Sequence, residues 1–246
     1  NGVTDICNMF QHCYNFNQPI NIPNSVINAS NMFYRCEQFN QPVYISNAHN
    51  ISNMFHNCRN FNQPINIPNN TLDTSNMFLN CINFNAPVNM SDGVINANCM
   101  FYNCSSLTTI DVSKWVTSAC TNMEQMFQHC NSVTSLNVSN FDTSKVKIMK
   151  GMFSYCYALT SLDLSSFEFV DNVNITNMFW GCQNLSSIII NSDCSDVGEY
   201  KYMFSSESIT ENGTFKVPSA YRSNWEILLV TNRSTSNFPD SWTITS

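Results

Sequence analysis

Charge is what this chain has least of. Charged residues make up 11% of the 246, against roughly 25% in an average soluble domain. Lysine is absent from the first hundred residues, where the only charged side chains are Asp5, Arg35, Glu37, Arg59, Asp73 and Asp92. No Lys/Arg cluster occurs and the formal net charge is -7, so the basic patch of a nucleic-acid binder is missing. Glycine is also scarce, at 6 residues. There is no glycine-rich phosphate loop, no nucleophile elbow and no His-Glu-x-x-His. The chain is therefore expected not to be an enzyme and to need no cofactor or metal. No apolar run reaches the about 20 residues of a membrane span, so no membrane insertion is expected. No signal peptide is visible. The chain starts at Asn1 inside a repeat and reads as a processed or excised piece, which leaves secretion open.

What fills the space left by charge is asparagine, with 25 of the first hundred positions, and a repeat. The dipeptide Met-Phe occurs at Met9, Met32, Met54, Met77, Met100, Met126, Met152, Met178 and Met203, at intervals of 22 to 26 residues. Three residues after the Phe stands a cysteine: Cys13, Cys36, Cys58, Cys81, Cys104, Cys130, Cys156 and Cys182, with Glu207 in the last turn. Three further on is Phe16, Phe39, Phe61, Phe84, Leu107, Val133, Leu159 or Leu185. Apolar spacing of three and four predicts a short helix or 3₁₀ segment through Met-Phe-x-x-Cys. Apolar-polar-apolar triplets follow, such as Ile20-Asn21-Ile22, Ile65-Asn66-Ile67 and Leu162-Asp163-Leu164. That alternation predicts a very short strand with one buried face.

One strand and one short helix per 22 to 26 residues is the leucine-rich-repeat arrangement, in which stacked turns share one core. The expected fold is an α/β solenoid: a leucine-rich-repeat-like right-handed superhelix of short parallel strands and short helical segments, nine turns over residues 1–204. Residues 205–246 are expected to cap the same domain, with a last strand at Phe215-Lys216-Val217-Pro218 and a helix holding Tyr221, Trp225, Ile227 and Leu228. Turns six to eight add an aromatic arm, seen in Trp115, Phe141 and Phe167.

The segment from Met152 to Phe167, the shorter early turns with Phe-Asn-Gln-Pro-Ile and the ending Val217-Pro218 with Tyr221 resemble the BspA-type leucine-rich-repeat surface proteins, in a Met-Phe-x-x-Cys subtype. The resemblance covers nearly all of the chain. Members of that family are found on bacterial and protist surfaces and in phage-encoded proteins, where they are associated with adhesion. It implies an extracellular location, at a cell or virion surface, and no catalytic residues.

Twelve cysteines raise disulfides, zinc or buried thiols. Equivalent side chains in a stack point the same way, which is poor disulfide geometry, and no Cys-x-x-Cys exists for a zinc site. The ladder therefore reads as reduced core thiols, with Cys36, Cys58, Cys81, Cys130 and Cys156 buried. Cys7, Cys99, Cys120 and Cys194 lie off the ladder and are the better disulfide candidates. His12, His56 and His129 fall at variable positions just after the anchor Phe, expected to face solvent. Ten Asn-x-Ser/Thr sites occur, most of them expected by chance in so Asn-rich a chain.

The strand-centre residues Asn21, Tyr44, Asn66, Asn89, Asp111, Asn137 and Asp163 should line up along one face. They read either as a solvated ladder or as a ligand-binding row. The function expected is a non-enzymatic adhesion or receptor-binding module of a bacterial surface protein or a phage tail or head fibre. Its partner would be a host-surface glycan or protein receptor, not nucleic acid, and it would be an oligomer if built into a fibre. The alternative is a structural spacer or virion component without its own ligand.

Overall fold

The computed structural model describes residues 2–204 and 210–246. The chain is a parallel β-solenoid with few helices. Seven consecutive parallel bridges run along it, joining Asp5, Asn28, Asn50, Asp73, Asn96, Asn122, Ile148 and Asn174. Strands β1 (Ile65–Asn66) and β2 (Val88–Asn89) pair in parallel, and so do β3 (Ser161–Leu164) and β5 (Ser187–Ile190). Beside them, β4 (Val173–Asn174) pairs with β6 (Val197–Glu199) and carries the bridge ladder onward. Of the expected triplets, those at Ile20, Val43, Ile110 and Leu136 carry no paired strand.

The expected helix through Met-Phe-x-x-Cys is not there. The residue before each Met and the residue before each Cys sit in the left-handed region, for example Asn31 at φ 55° and Arg35 at φ 63°. A right-handed helix cannot pass through such residues. Each segment is instead a chain of β-turns. Met32, Tyr34 and Cys36 donate N–H to the carbonyls of Ala29, Asn31 and Phe33, three residues back, at 3.3, 3.0 and 2.8 Å. The alternate N–H groups leave along the stack: Asn31, Phe33 and Arg35 donate to Ser52, Met54 and His56 of the following turn at 2.9, 3.0 and 2.8 Å. This ladder satisfies the backbone without a helix or a long strand, which a buried chain requires. It also explains the asparagines before Met, because Asn tolerates left-handed φ better than most residues. Glycine takes the place at Gly151 and Gly181, with φ of 62° and 75°.

Turn positions set the core. The anchor rings Phe10, Phe33, Phe55, Phe78, Phe101, Phe127, Phe153 and Phe179 stack face to face, neighbouring centroids lying 5.4 to 6.1 Å apart. Beside them runs a second column, Phe16, Phe39, Phe61 and Phe84, at 5.8 to 6.1 Å. Where it gives way to Leu107, the ring of Trp115 enters and begins a third column with Phe141 and Phe167.

At the C-terminal end, β7 (Thr214–Lys216) and β8 (Thr243–Thr245) extend the sheet, giving the order β3-β5-β7-β8. Between them α1 (Arg222–Trp225), a π-helical segment (Glu226–Thr231) and α2 (Arg233–Ser236) fold over the last turn. The strand expected at Phe215-Lys216-Val217-Pro218 is present but ends at Lys216. The expected helix is split between α1 and the π-helical segment, with Tyr221 as the N-cap rather than inside it; β8 carries no signal in the sequence. Phe204 meets Phe215, Phe238 and Trp242 edge-on, so the face-to-face stack stops here. The indole N–H of Trp225 donates to the Ser192 carbonyl at 3.0 Å, and that of Trp242 to Thr210 at 2.9 Å. Glu207, expected to mark the end of the repeat, lies outside the described residues. At the opposite end the first turn leaves Val3 and Met9 exposed.

Candidate recognition face

All seven strand-centre residues, Asn21, Tyr44, Asn66, Asn89, Asp111, Asn137 and Asp163, are exposed, while Ile22, Val43, Ile65, Val88, Val112, Leu136 and Leu164 beside them are buried. The alternation follows from an extended backbone, in which successive side chains take opposite faces. Asn66 and Asn89 are in register, and the Asn89 amide donates to Asn66 Oδ1 at 2.6 Å. Asn21, Tyr44 and Asn66 line one open depression with Asn24 and Ser46, holding about 200 Å³. Tyr44 is 80% exposed.

The other end of the row is engaged locally. The side chains of Asp111, Asn137 and Asp163 accept N–H bonds from Ser113, Ser139 and Ser165, two residues on, at 3.0, 3.1 and 2.9 Å. These are Asx-turns that close the extended triplets. The two bonds from Ser113 hold the Asp111 carboxyl below its ordinary value.

Most of the remaining asparagine works between turns. Asn17, Asn40, Asn62 and Asn85 each accept, on Oδ1, the backbone N–H of the equivalent residue one turn later, at 2.8 to 3.0 Å. Asn57, Asn80 and Asn103 form an amide ladder at 2.9 Å per step. Asn28, Asn50, Asn96, Asn122 and Asn174 cap the bridge ladder through Asx-turns. Much of the amide surface therefore serves the solenoid itself.

The cysteines are unpaired. Cys36, Cys58, Cys81, Cys130 and Cys156 are buried as expected, each packed in its column. The thiols from Cys36 to Cys182 donate to the anchor-Phe carbonyl of the preceding turn, for example Cys58 Sγ to Phe33 O at 3.0 Å. Burial pushes the Cys36 thiol up to about 12, so these groups are neutral donors and poor nucleophiles. The expected disulfide candidates are unpaired too: Cys99 donates to Gln125 Oε1 at 3.3 Å and Cys120 to the Asn122 carbonyl at 3.4 Å.

The histidines differ from expectation. His12 is exposed, but His56 and His129 are half-buried. His56 lies edge-on to Tyr34 at 4.7 Å, and His129 stacks on Tyr155 at 4.4 Å. Burial, then the nearby Arg35 guanidinium, lowers the His56 pKa to about 4. These rings belong to an aromatic edge that also includes Tyr102, Trp180 and Tyr202. Except for Tyr202, which precedes Met203, the sequence signal is present, as ring residues one or two places after the anchor Phe.

Among the described residues no three His, Cys, Asp or Glu side chains converge to hold a metal ion, and no helix is long and apolar enough to cross a membrane. The molecule is thus a repeat solenoid whose outward strand row is half consumed by turns and half open. A family profile described as "Mycoplasma protein of unknown function, DUF285" matches residues 1–92 and 95–215. The chain belongs to that family. A search of the curated proteins finds no match.

Proposed function

We propose that the chain is a non-enzymatic recognition module, an adhesin or receptor-binding unit displayed outside the cell on a cell surface or a virion. The observation that carries this reading is Tyr44, an aromatic 80% exposed between the buried Val43 and the half-buried Ile45. Such a side chain adds little to folding, whereas an aromatic anchor is a common centre of binding energy. Solenoids commonly bind along the face that their strands present. The Met-Phe-x-x-Cys register and the closing cap support placing the chain among BspA-type leucine-rich-repeat solenoids, as a right-handed stack of nine turns. Its partner would be a glycan or a protein receptor, and a bacterial surface protein or a phage fibre would each display it in this way.

A structural spacer is the second reading, favoured by the asparagine ladders that tie turn to turn. Fluorescently labelled chain added to host cells separates the two. Saturable binding, displaced by unlabelled chain, supports recognition. Binding that rises linearly without displacement would remove that reading and leave the spacer.

A further inference from the structure

We propose that the depression around Tyr44 seats one neutral sugar ring of a glycan. This rests on the recognition reading of the strand face and adds its ligand class. Tyr44 is the most exposed large apolar side chain among the described residues. Its counterparts one turn away on either side are the amides Asn21 and Asn66, and Asn24 and Ser46 complete the rim. The ring is the one aromatic in the depression, which it shares with these polar groups and with Ile22, Val43, Ile45 and Pro64, and it stands open to solvent. A protein hot spot differs, because there an aromatic anchor is enclosed by other groups that exclude water.

The polar groups are unspent in a particular way. Asn24 Oδ1 accepts the Ser46 hydroxyl at 2.7 Å, and Asn66 Oδ1 accepts the Asn89 amide at 2.6 Å. Both oxygens are taken, while among the described residues neither Nδ2 has a partner. No side-chain bond engages Asn21 or Tyr44 there either. Amide donors beside a flat aromatic match a pyranose, which has an apolar C–H face and a rim of hydroxyl acceptors.

Charge and size narrow the class. No carboxylate, ammonium or guanidinium lines the depression, so a sulfated, phosphorylated or sialylated ring would be stripped of water without a counter-charge. The net charge of -7 also disfavours polyanions. The space, about 200 Å³, is below the roughly 300–1,000 Å³ of drug-sized pockets, which leaves room for one ring. One such ring implies weak single-site affinity, raised by repetition of the ligand along a polysaccharide.

The test is an array of neutral and sialylated oligosaccharides probed with the full 246-residue chain, followed by titration of the best neutral binder. Tyr44→Ala is expected to weaken that binding by about tenfold, the loss of one aromatic contact, with an unchanged melting temperature. Tyr44→Phe is expected to keep it, since the ring face is what acts. Binding confined to sialylated glycans, no binding to any neutral glycan, or neutral binding that survives Tyr44→Ala would each overturn the sugar seat. Parallel measurement of binding to host cells keeps the two inferences apart. Saturable cell binding that neutral glycans fail to displace removes the sugar seat alone, and loss of both removes the recognition reading with it.

Discussion

The early and later turns solve one packing problem with different residues. In the early turns, spaced by 22 or 23 residues, two phenylalanines of one turn stack on each other, as Phe33 and Phe39 do at 4.1 Å. In the later turns, spaced by 26, the second position is Leu107, Val133 or Leu159. The extra length carries Trp115, Phe141 and Phe167 back into the core. Core volume is kept while the position supplying it moves, as close packing demands. The polar ties change as well. Asparagine side chains link the early turns through Asn17, Asn40 and Asn62. In the arm, Thr117 and Thr143 each donate to a carbonyl of the next turn at 2.9 Å and accept an N–H from the same residue at 2.8 Å. Proline explains part of the difference in strand length. Pro64 and Pro87 precede β1 and β2 and offer no N–H, whereas Ser161 and Ser187 in their place begin the longer β3 and β5. A repeat is thus defined by its stacking period and buried volume more than by a fixed consensus.

The largest effect expected is on the column that both regions share. Phe78→Ala empties a fully buried site between stacked neighbours and should cost about 3–5 kcal/mol in urea denaturation. Phe10→Ala, half-buried with a ring neighbour on one side of the stack, should cost clearly less. Equal costs would mean that the first turn is as enclosed as the middle of the stack. At the boundary between the two packing modes, Trp115 stacks on Phe101 and Phe141 while its indole donates to the Val88 carbonyl at 2.9 Å. Trp115→Phe keeps a ring but loses that bond and some volume, for an expected loss of about 1–2 kcal/mol. No measurable loss would show that the early turns do not depend on the arm.

How far the sequence could be read follows the same division. The Met-Phe interval was sufficient to find the solenoid, because stacking depends on period. The core columns followed from it, since equivalent residues superpose. Helix and turn could not be told apart by apolar spacing, because each β-turn also closes a bond between residues three apart, as Met32 to Ala29 and Cys36 to Phe33 do. Asn or Gly just before Met, at Asn31, Asn53, Asn76 and Gly151, was the discriminating signal. The outward row was legible from simple alternation. The engagement of its far end was only partly so: Asp111-Val112-Ser113, Asn137-Val138-Ser139 and Asp163-Leu164-Ser165 share the Asx-x-Ser pattern of a local turn. The depression at Tyr44 was not legible, because it needs residues from three neighbouring turns.

Acid should separate the regions next. The His56 pKa lies at about 4, below its ordinary 6.5, because burial and then Arg35 disfavour the cation. As pH falls through 6.5 the unfolded chain gains a proton that the folded chain refuses until about 4. The stability from a neutral His56 is therefore complete above that window and lost as pH falls across it. Burial lowers the His129 pKa too, with the same sign. The measurement is melting temperature at pH 7 and pH 5 for the parent chain, His56→Asn and His129→Asn. His56→Asn should reduce the acid-induced drop more than His129→Asn does; the reverse order would place the more deeply buried ring in the later turns.

The smallest stability effect is expected on the strand face, where it has most to say about function. Asn66 and Asn89 are both exposed, and their one mutual bond joins two side chains. Water can replace both partners, so changing both to Ala should cost about 0.5 kcal/mol or less. Asn40 is half-buried, and its Oδ1 accepts both the Asn62 backbone N–H at 2.9 Å and the Gln63 amide at 3.1 Å in the next turn. Asn40→Ala strips a backbone donor of its partner and should cost about 1 kcal/mol or more. Urea denaturation of the two variants orders them directly. A double variant that loses as much as Asn40→Ala would mean that Asn66 and Asn89 are one more ladder tying turns together, and the case for a recognition face would then rest on Tyr44 alone. If the double variant stays near the parent chain while its binding to host cells falls, the two amides have no structural duty to explain their place, and contact with a ligand accounts for it.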